Sequence, residues 1–126
     1  MQRSILVVDD EPSLLKLVEL YLTRSGYSVT ACSSGGTAWE TFSQNPGRFR
    51  LLVVDLKLSD RPGDDLARAM LQLSPSLAVL ICSGFPYDVS QLNGMPDRLA
   101  SLLKPFTPAQ LIKSVKFLFE QLEPDA

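Results

Sequence analysis

The chain has 126 residues, with 12 basic and 14 acidic side chains, two cysteines and no histidine. This length predicts one domain over residues 1–126, with an ordered core of about 3–122. The absence of histidine excludes serine–histidine and cysteine–histidine catalysis within the chain and removes the commonest zinc ligand. Any chemistry must be carried by carboxylates, hydroxyls, lysines or a hard metal ion.

Charge and hydropathy exclude further classes. The net charge is −2 with no basic stripe, which predicts no direct binding of nucleic acid. No apolar run approaches the roughly 20 residues of a membrane span, and no signal peptide is visible. Cys32 and Cys82 lie in apolar stretches without metal-ligand or redox spacing, which indicates buried, reduced thiols and a cytoplasmic protein.

The first half of the chain alternates between strand and helix patterns. Residues 5–8 form an apolar run rich in branched side chains, which predicts a strand buried on both faces. A helix is predicted over 13–25, with Pro12 at its first position and an acidic cap before it. Alternating side chains over 27–32 predict a second strand nearer an edge, and 37–44 reads as a short helix.

The second half continues the alternation. Residues 51–54 predict a third strand, followed by a helix near 65–73 and a buried strand over 77–82. Residues 85–98 contain two prolines and a glycine, which leave room for only a short or irregular helix. A fifth strand is predicted over 99–103, and a capping box then begins the last helix.

Five strands that alternate with five helical segments predict an α/β protein with a parallel, open, doubly wound sheet. Polar side chains follow four of the apolar runs at their carboxyl ends, where such sheets bind ligands: Asp9, Asp10, Asp55, Ser83 and Lys104. If the strand order is 2-1-3-4-5, strands one and three are neighbours, and the three aspartates meet in one pocket.

These residue types suit phosphoryl chemistry. Asp10 and Asp55 could hold Mg²⁺, a hard cation that needs few carboxylates. Lys104 could neutralise phosphoryl oxygens while the Asp55 carboxylate attacks phosphorus. Ser83 could donate to one phosphoryl oxygen, and Gly84 would let the backbone approach closely. Each residue alone has a plainer interpretation as a cap, a turn or a solvated side chain, but their joint placement at strand ends favours a site.

The sequence resembles the receiver domain of two-component response regulators over essentially its whole length. The resemblance rests on segments in the family's order and at close to its spacings: ILVVDDEP, LLVVDLKLSDRPG, ICSG and LLKPF. It implies a flavodoxin-like fold, a doubly wound (βα)5 three-layer sandwich with parallel strand order 2-1-3-4-5. It also implies Mg²⁺ as cofactor and a phosphohistidine donor on a sensor histidine kinase or a histidine phosphotransfer domain.

By this resemblance, Asp55 is the phosphoacceptor. Asp10 and Asp55 are carboxylate ligands of Mg²⁺, Asp9 acts partly through water, and the backbone carbonyl of Lys57 is a further ligand.

The same resemblance assigns two phosphoryl-binding side chains and one backbone feature. Ser83, followed by Gly84, matches the family's hydroxyl residue, and Lys104 matches its lysine. A cis peptide bond is implied between Lys104 and Pro105.

The chain departs from the family's pattern at three places. Ser101 stands where the family usually has an inward-swinging tyrosine or phenylalanine, so we expect an altered switch. Leu58-Ser59 replaces a common Met-Pro, which we expect to change the stiffness of the loop and not its chemistry. Gly94 and Pro96 break the fourth helix, as in receivers fused to hybrid sensor kinases. Signalling is therefore predicted to avoid the face built from helix four, strand five and helix five.

The function predicted from these residues is acceptance of a phosphoryl group at Asp55, followed by slow self-catalysed hydrolysis. Such a domain assists its own reactions without being a conventional turnover enzyme. One alternative is a receiver-like interaction module that is never phosphorylated. A flavin-binding relative would need a phosphate-cradling loop where this chain has acidic residues 9–11.

Lys57 has two interpretations. It is either a solvated loop side chain or a group that approaches the phosphoryl site and alters the access of hydrolytic water.

Overall fold

The computed structural model describes residues 3–123, which fold around a five-stranded parallel sheet. The strands are β1 (Ser4–Val8), β2 (Ser28–Cys32), β3 (Leu51–Asp55), β4 (Ala78–Ser83) and β5 (Leu99–Leu103). The α-helices are α1 (Pro12–Arg24), α2 (Gly35–Gln44), α3 (Gly63–Leu73) and α4 (Pro108–Leu122). The strand order is β2-β1-β3-β4-β5, which confirms the predicted doubly wound, flavodoxin-like arrangement.

Each face of the sheet carries its own apolar core. Ile5 and Val7 of β1 pack with α1 and α4, whereas Leu6 and Val8 pack with α2 and α3. All five residues of β1 are buried, since helices cover both faces of this strand. The result is the expected three-layer sandwich, with β2 and β5 at the edges of the sheet.

The helix termini follow from local hydrogen bonds. Glu11 caps α1 by accepting hydrogen bonds from the amides of Ser13 and Leu14. Thr107 and Gln110 form the predicted capping box of α4. These contacts confirm the sequence signals at both helices.

Two helices begin two residues earlier than predicted, and both begin with glycine. Ser34 caps α2 through the Thr37 amide, so Gly35 is its first residue. Gly63 begins α3 and donates to the Leu56 carbonyl at 2.7 Å. A Cβ at Gly63 would lie 2.0 Å from the Asp55 carbonyl oxygen, so only glycine fits there. Glycine reads as a loop residue in sequence, which explains the shifted boundaries.

The connection between β4 and β5 is irregular, as predicted. It contains two 3₁₀ turns, Val89–Leu92 and Pro96–Arg98, in place of an α-helix. Tyr87 donates a hydrogen bond to Asp64 of α3 at 2.9 Å, and its ring packs on the adjacent core. The connection is therefore held on α3 by a specific contact despite its short helical content.

Both cysteines are buried and free. Cys32 lies on β2 and Cys82 on β4, two strands that do not neighbour each other in the sheet. Burial raises the pKa of Cys32, and it raises that of Cys82 to about 12. None of the helices within residues 3–123 is long and apolar enough to cross a membrane.

We expect neither thiol to react with an aromatic disulfide reagent at pH near 8 while the protein is folded. The thiolate is the reactive form, and burial disfavours it at both positions. In denaturant both thiols should react, which serves as the control. Fast modification of the folded protein would contradict the burial of Cys32 and Cys82.

Candidate functional site

The pairing of β1 with β3 brings three carboxylates together. Asp9 and Asp10 follow β1 directly, and Asp55 ends β3, where Val54 is paired with Val8. One carboxylate oxygen from each aspartate lies within 4.8 Å of the others. The three acids that the sequence placed at two strand ends therefore form one cluster, at the carboxyl edge of the sheet.

Backbone amides fix the orientation of two of these side chains. The Glu11 amide donates to Asp9 Oδ1 at 2.9 Å, as the chain turns into α1. The Ser59 amide, in the loop after β3, donates to Asp10 Oδ2 at 2.7 Å. Each carboxylate therefore has one oxygen held by the backbone.

Lys104 reaches the cluster from the end of β5. Its Nζ lies 3.2 Å from Asp55 Oδ1 and 3.5 Å from Asp9 Oδ2. The Lys104 amide donates to the Ser83 carbonyl at 2.7 Å, and the peptide bond to Pro105 is cis. The backbone contact with the end of β4 sets the position from which the lysine side chain crosses the pocket.

Burial and charge act in opposite directions on these groups. Asp9 is only 5% exposed, and its pKa is raised chiefly by burial; the Asp55 charge also raises it, whereas the Glu11 amide and Lys104 lower it. For Lys104, burial lowers the pKa, but Asp9 and Asp55 raise it by more, so the net shift is upward. Three carboxylates against one ammonium leave a net charge of −2 when all are ionised. This net negative charge favours the binding of a cation in the pocket.

The donor set fits Mg²⁺. All three side chains offer oxygen, and a site with few carboxylates leaves room for the waters that Mg²⁺ retains. Asp10 and Asp55 would hold the ion, with Asp9 close enough to act through water. Lys57 follows Asp55 by two residues, and its backbone carbonyl would be the further ligand that the resemblance implies.

Two predicted phosphoryl-binding residues lie at the end of β4. The Ser83 side chain is buried, and its Oγ accepts a hydrogen bond from the Phe85 amide at 3.2 Å. A Cβ at Gly84 would meet no atom within 4 Å, so the space beside this backbone is open. The Lys57 Nζ lies 5.5 Å from the centre of the Phe85 ring, which places both side chains beside each other after β3 and β4.

Ser101 lies outside the acidic cluster. It is exposed on the edge strand β5, where it is paired with Ile81 of β4. Its small side chain leaves this face of the strand open.

Two contributors were not indicated by the sequence. The Ser59 amide binds Asp10, so the departure at this position changes the contacts of the site as well as the loop, contrary to our expectation. Asp60 accepts hydrogen bonds from the amides of Gly35 and Gly36, which begin α2. Neither contact has a local signal, because each joins residues at least 24 positions apart.

The fold and the site together define an α/β protein with an acidic, lysine-bearing pocket at the switch point of a parallel sheet. Residues 5–116 match the model of the response regulator receiver domain. The chain therefore belongs to the response regulator receiver family.

Three similar proteins illustrate this membership. The response regulator receiver protein CpdR of Brucella abortus is 27% identical over 90% of this chain and 94% of its own length. The transcriptional regulatory protein GlrR of Escherichia coli is 28% identical over 95% of this chain, but this match spans only 27% of that longer protein. The crystal structure of a receiver protein from Sinorhizobium medicae is 36% identical with a TM-score of 0.82, covering 94% of this chain and 95% of that one.

We expect Asp55→Asn to raise the free energy of unfolding by about 1 kcal/mol when divalent cations are removed. The raised pKa of Asp9 means that its ionisation at neutral pH opposes folding, and the Asp55 charge adds to that effect. Removing the Asp55 charge relieves it, while Lys104 keeps its contact with Asp9. Urea denaturation in the presence of a chelator measures the change.

Asp97→Asn is the matched control, since Asp97 is an exposed carboxylate in a 3₁₀ turn between β4 and β5. Its effect should stay within about 0.5 kcal/mol. A lower stability of Asp55→Asn in chelator would show that the three carboxylates do not repel one another.

Proposed function

We propose that this domain accepts a phosphoryl group on Asp55 in a Mg²⁺-dependent reaction. The observation that carries the proposal is the position of the Asp55 carboxylate, which lies beside Asp9 and Asp10 and contacts the Lys104 ammonium. Membership of the receiver family supports the same reading. The donor is a phosphohistidine on a sensor histidine kinase or a histidine phosphotransfer domain.

The transfer is a displacement at phosphorus. An Asp55 carboxylate oxygen forms the new P–O bond, and the P–N bond to the donor imidazole breaks. The electron pair of that bond stays on the imidazole nitrogen, which takes up a proton. The product is an acyl phosphate at Asp55, which water later hydrolyses to inorganic phosphate and the free carboxylate.

The residues of the chain position the reaction and stabilise its charge. Bound Mg²⁺ supplies positive charge for the phosphoryl oxygens. Lys104 adds a second positive charge, and it already contacts Asp55 before transfer. The Ser83 hydroxyl is the donor for one phosphoryl oxygen, next to the open space at Gly84.

The donor must come from outside these 126 residues. The 126 residues contain no histidine, so the phosphohistidine belongs to a second protein or to another domain of a longer one. We expect a small phosphodonor to replace it in vitro, because the pocket itself carries the groups that stabilise the transferred charge.

The expected readout is Mg²⁺-dependent uptake of one phosphoryl group from acetyl phosphate, measured by intact mass. Asp55→Asn removes the nucleophilic carboxylate and should abolish uptake, whereas the exposed Asp97→Asn should not affect it. Beryllofluoride with Mg²⁺ should bind the wild type and not Asp55→Asn.

No uptake by the wild type at millimolar Mg²⁺ would contradict the proposal. That result would favour the alternative, a receiver-like module that binds partners without phosphorylation.

Lys57 gives a second prediction for the same reaction. Its ammonium stands beside the half-exposed Phe85 ring, and the two side chains follow the strands that end at Asp55 and Ser83. Lys57→Ala should open the approach of water to Asp55 and speed loss of the phosphoryl group severalfold, measured from the decay of the phosphorylated mass. Lys116→Ala, an exposed change on α4, is the matched control. An unchanged decay for Lys57→Ala would leave Lys57 as a solvated loop side chain.

We further propose that phosphorylation signals through surfaces other than the one formed by the β4–β5 connection, β5 and α4. The short 3₁₀ turns of that connection and the exposed Ser101 support this view, since neither provides a packed helix face or a buried aromatic switch. A symmetric dimer through this surface in the activated protein would contradict it.

A further inference from the structure

The loop between β3 and α3 is tied to the start of α2 by one carboxylate. Asp60 Oδ1 accepts from the Gly35 amide at 3.0 Å, and Asp60 Oδ2 accepts from the Gly36 amide at 2.9 Å. These two hydrogen bonds lower the pKa of Asp60, so the group is ionised at neutral pH. Ser34 takes the next amide of the helix, that of Thr37, so Asp60 supplies the acceptors that the local cap does not.

The fit between loop and helix depends on a glycine. A Cβ at Gly35 would lie 2.7 Å from Arg61 Cγ, so the Arg61 side chain would have to move to make room for it. A Cβ at Gly36 would lie 3.5 Å from Asp60 Oδ2, an ordinary contact. The close approach is therefore specific to the first residue of α2.

The loop behaves as one closed unit. The Gly63 amide donates to the Leu56 carbonyl at 2.7 Å, and Lys57 and Pro62 form an isolated antiparallel bridge. Leu56 and Leu58 are buried beneath it. A displacement at one point of residues 56–62 is therefore carried to the rest of the loop.

The residue before Asp60 contacts the acidic pocket. The Ser59 amide donates to Asp10 Oδ2 at 2.7 Å, so two consecutive residues join Asp10 to the start of α2. We propose that Asp60 is a positioning residue that couples occupation of the acidic pocket to α2 through the Ser59 amide and Asp10. This inference rests on the proposed function, since it takes Asp10 to be a Mg²⁺ ligand.

Coupling in this direction has a physical route. A cation at Asp10 alters the charge and position of the carboxylate that the Ser59 amide holds, and Asp60 transmits the shift to α2. In the opposite direction, Asp60 keeps the loop where the Ser59 amide orients Asp10, and such outer contacts tune metal affinity. The fluorescence of Trp39 can report a change at α2, because this residue, the one tryptophan of the chain, lies on that helix and packs against the core beside Ala38 and Phe42.

The test is a Mg²⁺ titration read in two ways, by calorimetry for affinity and by Trp39 emission for the response of α2. In the wild type, Mg²⁺ should bind and change the emission. In Asp60→Ala, the affinity should fall roughly tenfold and most of the emission change should be lost. Asp60→Asn keeps one acceptor oxygen and should restore part of both.

Asp88→Ala is the matched control. Asp88 is also an exposed carboxylate with a pKa lowered by local hydrogen bonds, and it caps the 3₁₀ turn Val89–Leu92 through the Ser90 amide. Asp88→Ala removes the same charge and the same kind of cap as Asp60→Ala, but at a site away from α2. Both the affinity and the emission change should therefore match the wild type.

Two further variants separate the contacts. Ser59→Pro lacks the amide donor and should bind Mg²⁺ about tenfold more weakly than Ser59→Ala, which keeps it.

Wild-type affinity and a full emission change in Asp60→Ala would overturn the inference and leave Asp60 as a simple cap. Mg²⁺ binding by the wild type without any emission change would overturn it too, while the proposed function would stand. Absence of Mg²⁺ binding by the wild type would overturn both.

Discussion

The mutual repulsion of three carboxylates is the constraint on which the rest of this structure depends. Asp9, Asp10 and Asp55 share one edge of the sheet, and a single ammonium, that of Lys104, balances them in part. Without a bound cation, such a cluster lowers stability, because burial and like charge both disfavour the ionised carboxylates. The surplus of negative charge makes the pocket attractive to a hard cation, and Lys104 places one positive charge beside Asp55.

The sheet order makes this cluster possible. Asp55 lies 45 or more positions from Asp9 and Asp10 in the chain, and only the parallel pairing of β1 with β3 brings the strand ends together. Lys104 follows β5 on the other side, and its amide donates a hydrogen bond to the Ser83 carbonyl at the end of β4. The packing of the apolar runs in the core therefore sets the register of the strands. The register in turn sets the distances between the charged groups at the strand ends.

Most of the strands and helices, and the residues of the charged cluster, could be predicted from the sequence, because the signals for them are local. The apolar runs that lead to Asp55 and Ser83 predict buried strands, and these two polar residues lie at the strand ends that form the pocket. The Thr107 capping box predicts the start of the last helix. The signals failed where a contact joins distant segments or where glycine hides a helix start. Gly35 and Gly63 are the first residues of two helices, and another segment approaches each of them closely; no property of the neighbouring residues reveals that approach.

The Ser59 position illustrates how a departure from a family pattern acquires chemical meaning. A proline there would have no amide proton, so the hydrogen bond to Asp10 could not form. Serine supplies the donor, and the adjacent Asp60 extends the contact to α2. On the opposite side of the site, Ser101 is exposed and the connection to β5 lacks an α-helix. One set of contacts from the acidic pocket therefore leads to α2: the Ser59 amide binds Asp10, and the adjacent Asp60 carboxylate binds the first two amides of that helix.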